Sequence, residues 1–150
     1  MSDLLRRLRA RGWRLTAQRR VIAEVLDGEH VHYTADEVHA RAVELLPEIS
    51  RASVYNTLGE LVTLGEVIEV NTDGRVRRYD PNAHEAHQHL VCSGCGAIRD
   101  VRLTDDPLSA LPEGERFGFH VAQVTVTYYG RCPRCVAANS APGQAGSPVV

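Results

Sequence analysis

The sequence predicts an α+β protein: an N-terminal winged helix-turn-helix followed by a small metal-binding domain. Three observations predict this. Four capped, amphipathic stretches fill residues 4–64 and lead into a β-hairpin. A linker with a fixed proline, Asp80-Pro81-Asn82, follows the hairpin. Beyond it, two Cys-x-x-Cys pairs, Cys92/Cys95 and Cys132/Cys135, bracket a strand-rich segment. The expected boundaries are 1–79 for the winged helix, 80–83 for a hinge and 84–136 for the second domain. A small, polar, Pro-containing tail over 137–150 is expected to be disordered.

The helices come in order. Asp3 can cap the first, over 4–10, with Leu4, Leu5 and Leu8 on one face. Thr16 caps the second, over 17–26, with Val21, Ile22 and Val25 inward. Thr34 and Glu37 form a capping box for the third, which Pro47 closes. Ser50 caps the fourth, over 51–64. The run 67–70, the turn 71–74 and the return 75–79 form the wing. The helix before a wing is the recognition helix, and its first turn carries Arg51, Ser53, Tyr55 and Asn56. Such groups can reach base edges in a major groove, and Arg75, Arg77 and Arg78 on the wing suit phosphates. The competing reading makes the arginines a solvated face and Tyr55 a core residue.

The net charge of -2 conceals a basic start: Arg6, Arg7, Arg9, Arg11, Arg14, Arg19 and Arg20 crowd the first twenty residues. No stretch is long and apolar enough to span a membrane, and the N-terminus lacks a signal-peptide core. A cytoplasmic location is therefore expected, and there paired cysteines favour zinc over disulfides.

The segment 83–95, AHEAHQHLVCSGC, carries the metal chemistry. Four thiolates can close a tetrahedral structural zinc site. Buried free thiols or a redox pair are the alternative. His87, His89 and Val91 alternate with Gln88, Leu90 and Cys92 on an expected strand, so His87 and His89 point the same way. His84 is a possible further ligand, and Asp100 lies five residues past Cys95. His32, ahead of the third helix, can join His87 and His89 if the linker folds the domains together. A shared site would make domain orientation depend on metal, which a metal-gated DNA binder requires. Strands are expected over 97–103 and 121–129, with a loop or short helix over 105–111.

The stretches GWRLTAQRRVIAEVL, HYTADEVHARA, ISRASVYNTLGELVTLGEV, HQHLVCSGCG and CPRC resemble the ferric uptake regulator superfamily of repressors. The resemblance implies a homodimer with an N-terminal winged helix and a C-terminal α/β dimerisation domain. It implies regulatory ligands at His32, His87, His89 and Asp100, at positions used by peroxide-sensing members, with the fifth at Asp80, one residue further from His87 than the family pattern, or at His84 in its place. An Asp at position 100 and an Asn at position 56 both favour that group over iron sensors. Gln88 and Val124 stand where iron and zinc sensors place ligands of a further site, so that site is expected to be missing. DNA contacts carry over to Arg14, Tyr55 and Asn56, with Gln18, Arg19 and Arg51 as helpers. The implied partner is double-stranded DNA bearing an A/T-rich inverted repeat.

The implied cofactors are structural Zn(II) and regulatory Fe(II) or Mn(II). Hydrogen peroxide acting at Fe(II) would oxidise His32 or His87. A Ni(II) or Zn(II) sensor, in which His84 joins the ligands, is the alternative. An enzyme is not expected, because nothing in the sequence supplies a separate base or a nucleophile motif. A metal-buffering protein would leave the winged helix without a purpose.

Overall fold

The structure is a computed structural model that describes residues 2–71 and 76–139. The chain divides into two compact units between Glu85 and Ala86. The first unit therefore reaches past the expected hinge at 80–83.

The first unit holds helices α1 (Asp3–Ala10), α2 (Ala17–Val25), α3 (Ala35–Leu45) and α4 (Arg51–Thr63). Its strands are β1 (Tyr33–Thr34), β2 (Ile68–Asn71) and β3 (Arg77–Asp80). Thr16, Thr34 and Ser50 cap their helices as the sequence predicts, and the Thr34/Glu37 capping box is made in both directions. The cap of α1 is Ser2 rather than Asp3: its Oγ accepts the Leu5 N–H at 3.0 Å. Asp3 stands inside the first turn, where a carboxylate meets the positive end of the helix dipole.

Leu4, Leu8, Ile22, Leu26, Val38, Val54, Leu58 and Leu61 are buried between these helices, and Tyr79 of β3 joins them. Each such aliphatic side chain contributes roughly 1.5–3 kcal/mol on burial. This unit has a core of its own. Its antiparallel sheet runs in the order β1-β3-β2. The two-residue β1 is not predicted from the sequence, because two residues carry no periodicity. It pairs Tyr33 with Tyr79 and Thr34 with Arg78. The expected turn at 71–74 and Arg75 lie largely outside the described residues.

The second unit holds β4 (Gln88–Cys92), β5 (Ile98–Val101), β6 (Thr127–Gly130) and α5 (Pro133–Asn139). Strand β4 is central, antiparallel to β5 and parallel to β6. Short 3-10 turns at Pro107–Ala110 and Glu113–Glu115 bridge β5 and β6. The strand expected over 121–129 shortens to Thr127–Gly130. The ladder with β4 starts at His89↔Thr127, and just before it the Val126 N–H donates to the Gln88 side chain at 2.8 Å. Helix α5 runs three residues into the expected tail, and the rest of that stretch lies outside the described residues. Among the described residues of this unit, the buried apolar side chains are Val91 and Cys92. Among all described residues, no helix is long and apolar enough to cross a membrane.

Candidate metal centres and nucleic-acid face

Two turns build the cysteine centre. Cys92 ends β4, and its N–H and C=O bond to Ala97 O and Gly96 N at 2.8 and 2.9 Å, folding the chain into a tight knuckle. Gly96 takes a φ of +74°, which side-chain-bearing residues rarely adopt. The second pair opens α5, next to β6 and therefore next to β4. The four sulfurs lie within 4.8 Å of one another, with Cys95 and Cys132 Sγ 3.8 Å apart. Zinc–sulfur bonds of about 2.3 Å give a tetrahedral edge of about 3.8 Å, so the donor set fits zinc.

The electrostatics agree. The Cys132 N–H donates to Cys92 Sγ at 3.2 Å and, as the largest cause, pulls the Cys92 thiol down to about 6. The Cys135 N–H likewise lowers Cys132. Hydrogen bonding with Cys132, then with Cys92 and Cys95, pushes Cys135 up to about 12. Four thiolates packed this closely ionise together only around a cation.

Gly94 is the residue the sequence reading misses here. A Cβ at Gly94 would stand 2.9 Å from Cys135 Sγ and 3.6 Å from Cys92 Sγ. The second knuckle occupies the space a side chain would take. The signal was present as the second x of the first Cys-x-x-Cys.

Each unit also carries a His–Asp pair across a ladder. In the first, the β1–β3 register continues to place His32 opposite Asp80, and Asp80 Oδ2 is 3.4 Å from His32 Nε2. The other carboxylate oxygen accepts the Asn82 N–H at 2.8 Å. In the second, β4–β5 pairing sets His89 directly against Asp100. Asp100 Oδ1 is 3.7 Å from His89 Nε2 and 3.8 Å from His87 Nε2, and the two imidazoles meet edge to face at 4.8 Å. His87 and His89 thus point the same way, as their spacing predicts. All five side chains are at most 8% exposed. Buried carboxylates and imidazoles at these separations suit a divalent cation with nitrogen and oxygen ligands.

His84 has a different partner. Its Nε2 is 3.0 Å from Glu66 Oε2, and Glu66 also takes Arg7 and Arg11 at 2.8 Å each. Burial alone would raise the Glu66 carboxyl, but hydrogen bonds from Arg7 and His84 outweigh it and hold the group below its ordinary value. Nothing in a single sequence marks a glutamate between a glycine and a valine as buried. This cluster ties 81–85 back to α1, and Arg7 also donates to Pro81 O at 3.4 Å.

On the first unit, Arg14, Gln18 and Asn56 line one groove of about 310 Å³ with Thr16, Ser53 and Glu60. Tyr55 on α4 is 53% exposed and is no core residue. Arg19 lines the same groove, and two of the expected helpers, Arg19 and Arg51, also have intramolecular partners. The Arg19 guanidinium meets Glu60 at 2.6 Å, donates to Arg14 O at 2.9 Å and lies 4.6 Å over the Trp13 ring. Arg51 pairs with Asp36. On the wing Arg77 is exposed, whereas Arg78 turns inward to His32 and Glu37.

Residues 10–129 match the ferric uptake regulator family. The chain belongs to that family. Its members are metal-responsive transcriptional regulators, not enzymes; they bind DNA and are dimeric. The chain is 30% identical over 135 residues to the transcriptional regulator FurA of Mycobacterium tuberculosis, covering 90% of this chain and 91% of that one. It is 34% identical over 140 residues to the peroxide-responsive repressor PerR of Staphylococcus aureus, with 90% of each covered. Among solved structures, the Campylobacter jejuni peroxide stress regulator is similar with a TM-score of 0.66 at 32% identity, over 89% of this chain and 99% of that one. The Helicobacter pylori ferric uptake regulator shares the fold, with a TM-score of 0.69 at 23% identity over 89% and 92%.

Proposed function

We propose that this family member is a transcriptional repressor that senses hydrogen peroxide through Fe(II) bound by His32, Asp80, His87, His89 and Asp100. The observation that carries this reading is the set of cross-strand His–Asp pairs. Three imidazoles and two carboxylates, with no thiol among them, suit Fe(II) or Mn(II) better than the soft ions that cysteine selects. Cys92, Cys95, Cys132 and Cys135 would hold structural zinc. His84 is left out of the ligand set, because Glu66 already engages it.

The chain's part is to bind one domain arrangement more tightly when metal is held, since only such a difference shifts the equilibrium. Fe(II) in this site would supply the electron that converts peroxide into an oxidant able to add oxygen to an imidazole. His32 and His87 are the proposed targets of that attack, as the family resemblance implies. An oxidised ring ligates poorly, so metal and operator affinity are lost together. Mn(II) would support DNA binding without this sensitivity.

In the second unit, Leu90, Tyr128, Tyr129 and Val136 are exposed apolar side chains that suit a partner subunit. A symmetric dimer implies an inverted-repeat site, and we propose an A/T-rich one read by Arg14, Tyr55 and Asn56. The cytoplasm is the compartment in which such a regulator would act.

Peptide mass spectrometry after brief peroxide exposure tests the sensing chemistry, with Fe(II)- and Mn(II)-loaded protein side by side. One added oxygen on His32 or His87 in the iron sample alone is expected. Unmodified histidines in both samples, with metal-dependent DNA binding intact, would leave a metal sensor without peroxide chemistry. His87→Ala is expected to abolish metal-dependent DNA binding while zinc stays bound; retained metal dependence would sink the ligand set.

A further inference from the structure

Arg78 turns inward from the wing surface that its sequence position suggests. Its Nη1 donates to the His32 carbonyl at 3.0 Å and stands 3.3 Å from Glu37 Oε2. The same Glu37 oxygen accepts the Thr34 N–H at 2.9 Å, closing the capping box of α3. Arg78 lies opposite Thr34 in the β1–β3 ladder and two residues before Asp80, so it shares a strand face with that carboxylate. Its Nε is buried without a hydrogen-bond partner, an uncommon state in native proteins. The side chain is 24% exposed, against 68% for Arg77. Tyr33, between His32 and the cap, is held from the other element by the Arg41 guanidinium of α3, 4.0 Å over its ring.

One guanidinium therefore joins the backbone of His32, the N-terminus of α3 and the strand that carries Asp80. We propose that Arg78 is the positioning residue that couples metal at His32 and Asp80 to the helix-turn-helix and the wing. The inference rests on reading those two residues as regulatory ligands. A shift of the His32 backbone changes what Arg78 can reach, and Arg78 holds the cap that sets how α3 begins. Metal affinity and DNA affinity then share one strut, and their coupling is reciprocal.

The test uses the full chain and a duplex selected with Mn(II)-loaded wild-type protein. DNA affinity is measured with and without Mn(II), across a salt series, for wild type, Arg78→Gln, Arg78→Lys, Glu37→Gln and His32→Ala. Arg78→Gln should reduce the gain in affinity from Mn(II) by on the order of tenfold. The salt dependence of the Mn(II)-loaded form should match wild type, because no phosphate contact is lost. Arg78→Lys should restore part of the gain, since a point charge reaches one acceptor where the fork reaches two. Glu37→Gln, which keeps an acceptor for the Thr34 N–H, should also reduce the gain, and it carries the test if Arg78→Gln fails to fold. A full Mn(II) gain in Arg78→Gln overturns the proposal. So does a salt slope shallower by about one, which would mark Arg78 as a phosphate contact. If His32→Ala loses the gain while Arg78→Gln keeps it, the ligand reading stands and only the strut falls. If His32→Ala keeps the gain, both fall.

Discussion

Gly94 is worth more than its size suggests. With Cys135 Sγ 2.9 Å from where its Cβ would be, Gly94→Ala has to push the two knuckles apart. Sulfur positions that match a tetrahedral edge cannot absorb such a shift without lengthening a zinc bond. Zinc released to a competing chelator should therefore be faster from Gly94→Ala than from wild type by about tenfold or more, as for other changes that disturb a metal's supporting shell. Equal release rates would mean that the knuckles have slack. At this scale the sequence was informative about chemistry and poor about geometry. Residue type and spacing singled out the four cysteines and His87, His89 and Asp100, and the structure brings the side chains of each set close together. That Asp100 stands directly against His89, or that Arg19, Arg51 and Arg78 turn to protein partners, depends on pairing and rotamers that spacing does not encode.

Among the elements, α1 is fixed by a charge cluster rather than by apolar contact alone. Glu66 is 1% exposed and accepts from Arg7, Arg11 and His84. Its carboxyl sits below the ordinary value: burial acts to raise it, and the Arg7 and His84 hydrogen bonds more than offset that. A depressed carboxyl contributes its stabilisation in full above its unfolded value, about 4.3, and loses it as pH falls through the folded value. Thermal melting of metal-free protein should thus fall below about pH 4.3 more steeply in wild type than in Glu66→Gln. At neutral pH the substitution should cost about 1.5–3 kcal/mol, the usual worth of hydrogen bonds to a charged group. Parallel pH profiles would show that the cluster adds nothing. The helices and three of their four caps were legible because helical period and cap chemistry are local. Strand limits were not: β6 begins only where β4 starts to offer partners, at His89↔Thr127, and β1 exists only because β3 lies beside it.

For the molecule as a whole, the two units have unequal means of support. The first has a core of leucines, isoleucine and valine; the second, among its described residues, buries Val91 and Cys92 and gathers four sulfurs. Small domains with thin cores lean on metals. Removing the proposed zinc with a strong chelator under reducing conditions should unfold the second unit while the first keeps its protection against hydrogen exchange. Loss of protection in both at once would show that neither folds independently. The β3 strand gives the first unit a further property. Arg78 and Asp80 face His32, while Tyr79 faces the opposite way into the core. A slip of one residue would turn every side chain over. It would bury an aspartate among leucines at the same stroke that removed it from His32. A copy in that misregister would lose the proposed ligand pair and the stability of the first unit together, so the register that holds the core also holds His32 and Asp80 face to face.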